Sequence, residues 1–309
     1  MLGDFFLTFL NVYNVSYKLY FDEAFSEIKE MDIKQIDWNL VWQTAQRQKR
    51  LNRPPKGAVY WNRRARDFSN HQAHKSDYPH QFIRILNPEP NWRVLDVGCG
   101  SGTIAIPLAD RVDSITAMDF SESMLSILSQ ECAAKNIKNV NPILAAWEDE
   151  WEGLGIGVHD VVIASRSVNV EDLKSAVIKL NHFARQRVYV SAVVGDGPAL
   201  RRIINAAGRD YQPSPDYICI LNILYQMGIY ANLSFTFHPL NRTYADHEDA
   251  LNKSQWMLDD MTPEEEGRLR IFFQDHLVRQ NGSWVLPEVP PVRWAVIWWD
   301  VPDEYSAET

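Results

Sequence analysis

The residues best placed to do chemistry are Asp96-Val-Gly98-Cys99-Gly100-Ser-Gly102, together with Asp119, which lies 17 positions past the last of those glycines. Glycines at alternate positions leave a turn without Cβ atoms, so a ligand can approach the backbone closely. Asp119 stands about where an α/β nucleotide fold places the acid that grips ribose hydroxyls. The spacing is G-x-G-x-G, not the G-x-G-x-x-G of dinucleotide folds. This tighter turn suits an uncharged sugar and an amino-acid tail better than a pyrophosphate. Further along, Arg166, Asn169, Asp196 and His238 each follow or end an apolar run. They are placed to meet an acceptor, and a histidine can take a proton near neutral pH.

The elements that must hold these groups follow from patterning. Val94 to Val97 is the apolar run of a strand buried on both faces, and a helical period resumes through Ile104, Ile106, Leu108 and Ala109. Strand, glycine turn and helix make half of a βαβ unit, with the free N–H groups of the helix start aimed at the turn. Six more strands read at 114–118 (ending in Asp119), 140–144, 159–164, 187–194, 229–237 and 293–301. Ser121 is set to cap the helix after Asp119, and a further helix reads over 170–186. Asp216 opens a helix that Gly228 closes, and Thr262-Pro-Glu-Glu265 is a capping box with proline at the first position. Two helices, 244–259 and 263–278, and a short strand, 282–286, interrupt the chain between the last two strands. Pro198 to Pro215 reads as a polar, basic connecting segment carrying Arg201, Arg202 and Arg209. Ligands in open α/β sheets bind beyond the carboxyl ends of the strands, which is where the chemistry-bearing residues fall.

Asp96 to Gly102, Asp119 and the Ser121-x-x-Met124 that follows resemble the cofactor segment of class I S-adenosylmethionine (SAM) methyltransferases. The likeness covers about 92–194, with a similar lead-in from Trp61 to Tyr78 and a tryptophan-rich close. It implies an α/β fold: a seven-stranded Rossmann-like sheet with helices on both faces, an N-terminal helical extension and a helical insertion before the last strand. The implied division is an extension and lid at 1–80 and a methyltransferase domain at 81–309, inserted at about 240–290. The implied cofactor is SAM, held by Asp96, Gly98, Cys99, Gly100, Gly102, Asp119, Phe120, Met124, Trp147, Glu148 and Ser165. The family usually offers an aspartate to adenine after the third strand, where this chain has Ala146, so Trp147 or Glu148 inherits that contact. Trp61, Phe68 and Tyr78 are the lid aromatics that could face a sulfonium. For the acceptor, His238 is the first choice of base, with Arg166 and Tyr78 beside it.

Composition narrows the class. A chain of 309 residues with 46% hydrophobic content can bury one elaborated domain or two. A net charge of −9 disfavours a general nucleic-acid binder. Yet residues 38–66 hold no acid and eight basic residues, from Arg47 to Arg66, interleaved with aromatics. An RNA or other nucleic-acid methyltransferase using 47–66 is therefore the alternative, and a catalytically silent SAM-binding module the second. Cys99, Cys132 and Cys219 are too scattered for a disulfide framework or a zinc site, so no metal is expected and the protein reads as cytoplasmic. Residues 1–21 are apolar and aromatic but lack a basic leader, and they read as an amphipathic helix packing on the body or on a second copy in a homodimer. The acceptor reads as a small molecule, anionic if Arg166, Arg201, Arg202 or Arg209 meets it.

Overall fold

Strand β1 (Arg93–Val97) is apolar on both faces and becomes the middle of a sheet. Around it lie β2 (Ser114–Asp119), β3 (Val140–Leu144), β4 (His159–Ser165), β5 (Ala184–Val193), β6 (Asn232–His238) and β10 (Val292–Asp300). Their order is β3-β2-β1-β4-β5-β10-β6. All run parallel except β10, which is antiparallel to β5 and β6. The seven strands read from the sequence are all present, with ends shifted by up to three residues. The computed structural model describes residues 35–52, 57–73, 77–195, 198–211, 215–238, 243–254, 258, 261–288 and 291–302. By its contacts the chain divides at Trp38/Asn39, and the architecture described below belongs to the part from Asn39 onward.

The side chains alternate along each strand, so the sheet has two apolar faces. Val94, Ile115, Ala117, Val161, Ile163, Tyr189 and Val296 point to one face. There they join residues of α3 (Tyr78–Leu86), α4 (Ala105–Leu108) and α5 (Glu122–Ala134) in one core. Helices α6 (Leu173–His182) and α8 (Tyr217–Gln226) pack on β5 and on each other. Helix α1 (Trp38–Asn52) docks through Asn39 and Trp42, whose indole N–H donates to the Val170 carbonyl at 2.9 Å. Helix α2 (Ala58–Ala73) packs on α5. The expected caps form: Ser121 Oγ accepts from Met124 N, Asp216 from Ile218 N, and Thr262 and Glu265 make the reciprocal box.

Two expectations change. The segment after Pro198 is not a connector but helix α7 (Pro198–Ala206), which buries Ile203 and Ile204. The insertion holds α9 (His247–Ser254), α10 (Pro263–His276) and three short strands, not one: β7 (Thr243–Tyr244), β8 (Val278–Gln280) and β9 (Ser283–Val285), ordered β7-β9-β8. Together α7 and the insertion build a second apolar core from Ile203, Ile204, Tyr244, Leu251, Leu269 and Phe273. Helix α3 runs across residue 80. The amino-terminal stretch 1–21 lies outside the described residues.

Candidate functional site

β1 and β2 deliver Asp96 and Asp119 to the same sheet edge, and the glycine turn folds between them. The N–H groups of Gly98 and Cys99 donate to the Met118 carbonyl at 2.8 and 2.9 Å. Gly100 N–H donates to Asp119 Oδ2 and Ser121 N–H to Oδ1, both at 2.9 Å. Each carboxylate oxygen keeps lone-pair capacity for an incoming hydroxyl. Gly98, Gly100 and Gly102 have φ of 71°, 56° and 87°, a region that favours glycine. At two of them the neighbour that forbids a side chain is protein. A Cβ on Gly98 would stand 2.4 Å from Ser167 Cβ, and one on Gly102 would stand 2.5 Å from Leu128 Cδ1. The helix expected after the turn is short: α4 spans four residues, contains Pro107 and tightens into a 3₁₀ turn, Ala109–Arg111.

The cradle is buried and acidic. Asp96 is 2% exposed, and among the described residues its Oδ2 has no hydrogen-bond partner. Burial, and then the nearby Asp119 charge, push its pKa up to about 7, while the Ala105 N–H opposes them. Burial also raises Asp119, against the N–H groups of Ser121, Gly100 and Phe120. An unpartnered buried carboxylate oxygen calls for a donor or a cation. An ammonium beside Asp96 and a vicinal diol at Asp119 would satisfy both acids, and SAM carries those two groups. Burial lifts the Cys99 thiol well above its usual range, so it packs as an apolar side chain.

Around the far side of Asp119, Met124 is buried, Phe120 half-buried, and Asn62 of α2 ties in. Asn62 Oδ1 accepts from Ser121 Oγ at 2.7 Å and from Ser123 N at 3.2 Å. After β3, the Ala146 N–H donates to Asp149 Oδ2 at 2.8 Å, and its carbonyl accepts from Trp151 Nε1 at 2.8 Å. Lys179 Nζ donates to the carbonyls of Trp147 and Asp149 at 3.0 and 2.6 Å and sits 4.3 Å from the Trp151 ring centroid. Trp147 is half-buried against Trp151, and Glu148 is exposed. The sequence reading missed Asn62, Asp149 and Lys179. An aspartate three residues past Ala146 was the available signal.

The residues expected on the acceptor side gather at the ends of β4 and β5. The Tyr78 hydroxyl lies between Ser165 Oγ at 2.6 Å and Ser191 Oγ at 2.7 Å, and Ser191 Oγ accepts from Arg166 N at 3.0 Å. The Arg166 guanidinium stacks 4.3 Å from the Tyr78 ring centroid and 5.3 Å from that of Trp294. That face of Tyr78 is therefore occupied by a protein cation rather than open to a sulfonium. Burial raises the Tyr78 pKa, which keeps its hydroxyl protonated near neutral pH. Ser167 Oγ donates to the Val97 carbonyl, pressing this segment on the glycine turn. His238 ends β6 opposite Val292, but its side chain lies outside the described residues, as do Asp196 and the side chain of Phe68. Trp61 is half-buried, edge-on to Tyr60.

The remaining arginines serve the second core. Arg209 holds Glu265 through two hydrogen bonds of 2.6 and 2.8 Å, and Arg202 donates to the Pro287 carbonyl. Arg201 is exposed and stacks on Tyr211. A separate groove of about 780 Å³, lined by Asp77, His80, Arg84, Ile106, Asp110 and Lys135 among others, includes none of the strand-end residues above.

Residues 94–186 match the family described as Methyltransferase domain. An uncharacterised protein of Haemophilus influenzae is 31% identical over 252 residues, spanning 81% of this chain and 91% of its own. The chain belongs to the class I SAM-dependent methyltransferases. This methyltransferase also resembles the ubiquinone biosynthesis O-methyltransferase of Rickettsia conorii, at 26% identity over 47% of the chain and 46% of that relative. Among solved structures, the YcgJ protein of Bacillus subtilis shares the fold with a TM-score of 0.50 and 16% identity, covering 73% of this chain and 98% of that one. SAM is the cofactor of the family, and the unpartnered Asp96 oxygen beside Asp119 fits a methyltransferase that receives it. Among the described residues no helix is long and apolar enough to cross a membrane.

Proposed function

We propose that this methyltransferase transfers a methyl group from SAM to a small or medium-sized acceptor. The observation that carries the reading is the cradle of Asp96, the glycine turn and Asp119 at the carboxyl edge of the sheet. The second apolar core supports a small acceptor. The chain leaves the sheet for it after Val193 and His238 and returns at Val292, all at that same edge. A cap at the strand ends favours an enclosed pocket over an open trough.

Bound SAM supplies a methyl group already activated by its sulfonium, so the chain has mainly to bind and orient. In this reading Asp96 takes the ammonium and Asp119 the ribose hydroxyls. Gly98, Cys99, Gly100 and Gly102 shape the turn, while Phe120, Met124, Trp147, Glu148 and Ser165 line the remainder. Holding the reactants in line gives effective molarities on the order of 10⁵ M or more. His238 stands as the first choice of base. We keep the division into an amino-terminal extension with lid and a methyltransferase domain as part of the proposal. A cytoplasmic setting fits the three free, buried cysteines.

The basic 47–66 segment is the ground for the nucleic-acid reading, and there Arg47 already pairs with Glu171 at 3.4 Å. The test is incubation with methyl-labelled SAM and a cell extract separated into small-molecule, RNA and protein fractions. Label should enter the small molecules. Label in RNA, lost steeply with added salt, would replace this reading with the nucleic-acid one.

A further inference from the structure

We propose that the outer edge of β6, with the exposed side of α8 beside it, pairs with the same surface of a second copy of this chain in a two-fold dimer. The surface includes none of the cradle residues.

The backbone comes first. β6 is the last strand of the sheet, and β10 covers only one of its sides. Phe237 shows which main-chain groups face the other side. Its N–H donates to Gln81 Oε1 and its carbonyl accepts from Gln81 Nε2, both at 2.9 Å. These groups alternate in direction along an antiparallel ladder, so those of Leu233 and Phe235 also point outward. Among the described residues nothing pairs with them. Edges that stay single are blunted by a proline, a charge or a bulge. The opposite edge, β3, has Pro142. β6 contains no proline, Asp, Glu, Lys or Arg, and its register on β10 runs unbroken from Asn232 to His238.

The side chains agree. From Tyr217 to Phe237 there is no Asp, Glu, Lys or Arg, although these types make up 23% of the chain. Yet this charge-free run is at the surface. Among the described residues, six of the fourteen exposed large apolar side chains belong to it: Ile218, Tyr225, Tyr230, Leu233, Phe235 and Phe237. Their exposure runs from 36% at Phe235 to 81% at Tyr230. Such a concentration marks an interaction site. Tyr225 meets Tyr230 edge-on at 6.1 Å and Tyr217 meets Phe235 at 5.6 Å, so α8 lies alongside the strand. Leu233, Phe235 and Phe237 alternate along β6 and share the face that carries α8. Arg293 stacks on Phe237 at the margin.

A second copy is the partner this surface fits. Laid antiparallel on itself about an axis at Ser234, the edge sets Leu233 against Phe235 of the second copy, and the reverse, using the outward N–H and C=O groups of both. The same axis brings both α8 helices to one side of the joined sheet. Near a two-fold each residue meets its own copy, so a charge there would face a like charge. The charge-free run avoids that repulsion. A lipid surface would call for basic residues within the patch, and the run supplies none. At about 200 Å² for a large side chain, the six together bury roughly 600 Å² per copy. A standard interface takes about 800 Å² per partner. The strand edge and the polar side chains of Asn222, Gln226 and Asn232 contribute further area.

The experiment is sedimentation velocity with light scattering on the full chain. At about 50 μM, above the micromolar dissociation constants of weak interfaces of this size, the native protein should be a dimer. Phe235→Lys puts like charges beside the axis. Tyr225→Lys combined with Tyr230→Lys does so at exposed positions outside the core. Each should raise the dimer dissociation constant tenfold or more, with cooperative thermal melting to show a folded chain. The tyrosine pair decides the matter if Phe235→Lys does not fold. Val59→Lys, on the exposed side of α2, should leave the constant within about twofold. A native protein that stays monomeric at that concentration, a dimer untouched by these substitutions, or an equal loss in Val59→Lys overturns the proposal. Co-sedimentation of a native monomer with phosphatidylcholine vesicles would overturn it too, assigning the patch to a membrane.

Discussion

Asp96 carries a pH signature that follows from its surroundings. Its folded pKa of about 7 lies above the ordinary value near 3.8, so between those limits the folded apo chain holds a proton that the unfolded chain has lost. The sign follows: its contribution to stability is full below about pH 4 and declines as pH rises toward 7. Ligand binding runs the other way, because an ammonium wants the carboxylate form. S-adenosylhomocysteine affinity should therefore rise about tenfold between pH 6 and pH 8 and then level off. Calorimetry across that range checks it, and Asp96→Asn should flatten the profile. A flat profile in the native protein would take Asp96 away from the ammonium. At this scale the sequence was informative where spacing constrains chemistry, as in the glycine turn and Asp119. It was silent on why Gly98 and Gly102 must be glycine, because Ser167 and Leu128 reach them from distant segments. Tyr78 shows the same limit: a lid aromatic by position proves to be buried beneath the arginine that follows β4.

Among the elements, the turn after β3 depends on α6. Lys179 reaches from that helix to two carbonyls of the turn, and Asp149 closes it through the Ala146 N–H. Removing the ammonium leaves the Trp147 and Asp149 carbonyls without their donor and frees the segment the adenine would face. Lys179→Ala should therefore weaken S-adenosylhomocysteine binding about three- to tenfold, consistent with the loss of hydrogen bonds to a charged group. Calorimetry at fixed pH, paired with thermal melting to show a folded variant, reads the effect. Unchanged affinity would mean that this turn does not contact the ligand. The strands were legible because hydrophobic runs and turn residues bound them, and the caps because Ser, Asp and Thr stand at helix starts. Helix α7 was not. Proline at its start and three arginines nearby masked an amphipathic period whose apolar face, Ile203 and Ile204, has its partner in the insertion.

On the scale of the whole molecule, the proposed cap is a second core joined to the sheet body at four points, at either end of α7 and at either end of the insertion, and its geometry allows a decisive excision. His238 and Val292 face each other across β6 and β10, so the chain leaves the sheet and returns at adjacent positions. Replacing residues 239–291 with Asn-Gly would join the two strands through a two-residue hairpin turn. The sheet, the glycine turn and Asp119 keep their neighbours, and S-adenosylhomocysteine affinity should stay within about threefold. Helix α7 loses its partners. Ile203, Ile204 and Ala207, now buried against Leu269 and Phe273 or their neighbours, would face water. Each large aliphatic side chain exposed in this way costs about 1.5–3 kcal/mol of lost burial and leaves an apolar patch that promotes association. The loss of the Arg209–Glu265 clamp strips α7's end of its charged anchor as well. The excised protein should therefore self-associate, and Ile203→Ser with Ile204→Ser in the same background should restore a monodisperse species in light scattering. Methyl transfer to the acceptor should disappear in both. Full turnover without the cap would show that the acceptor is held by the sheet edge alone, and loss of S-adenosylhomocysteine binding would show that the cap is part of the cofactor site.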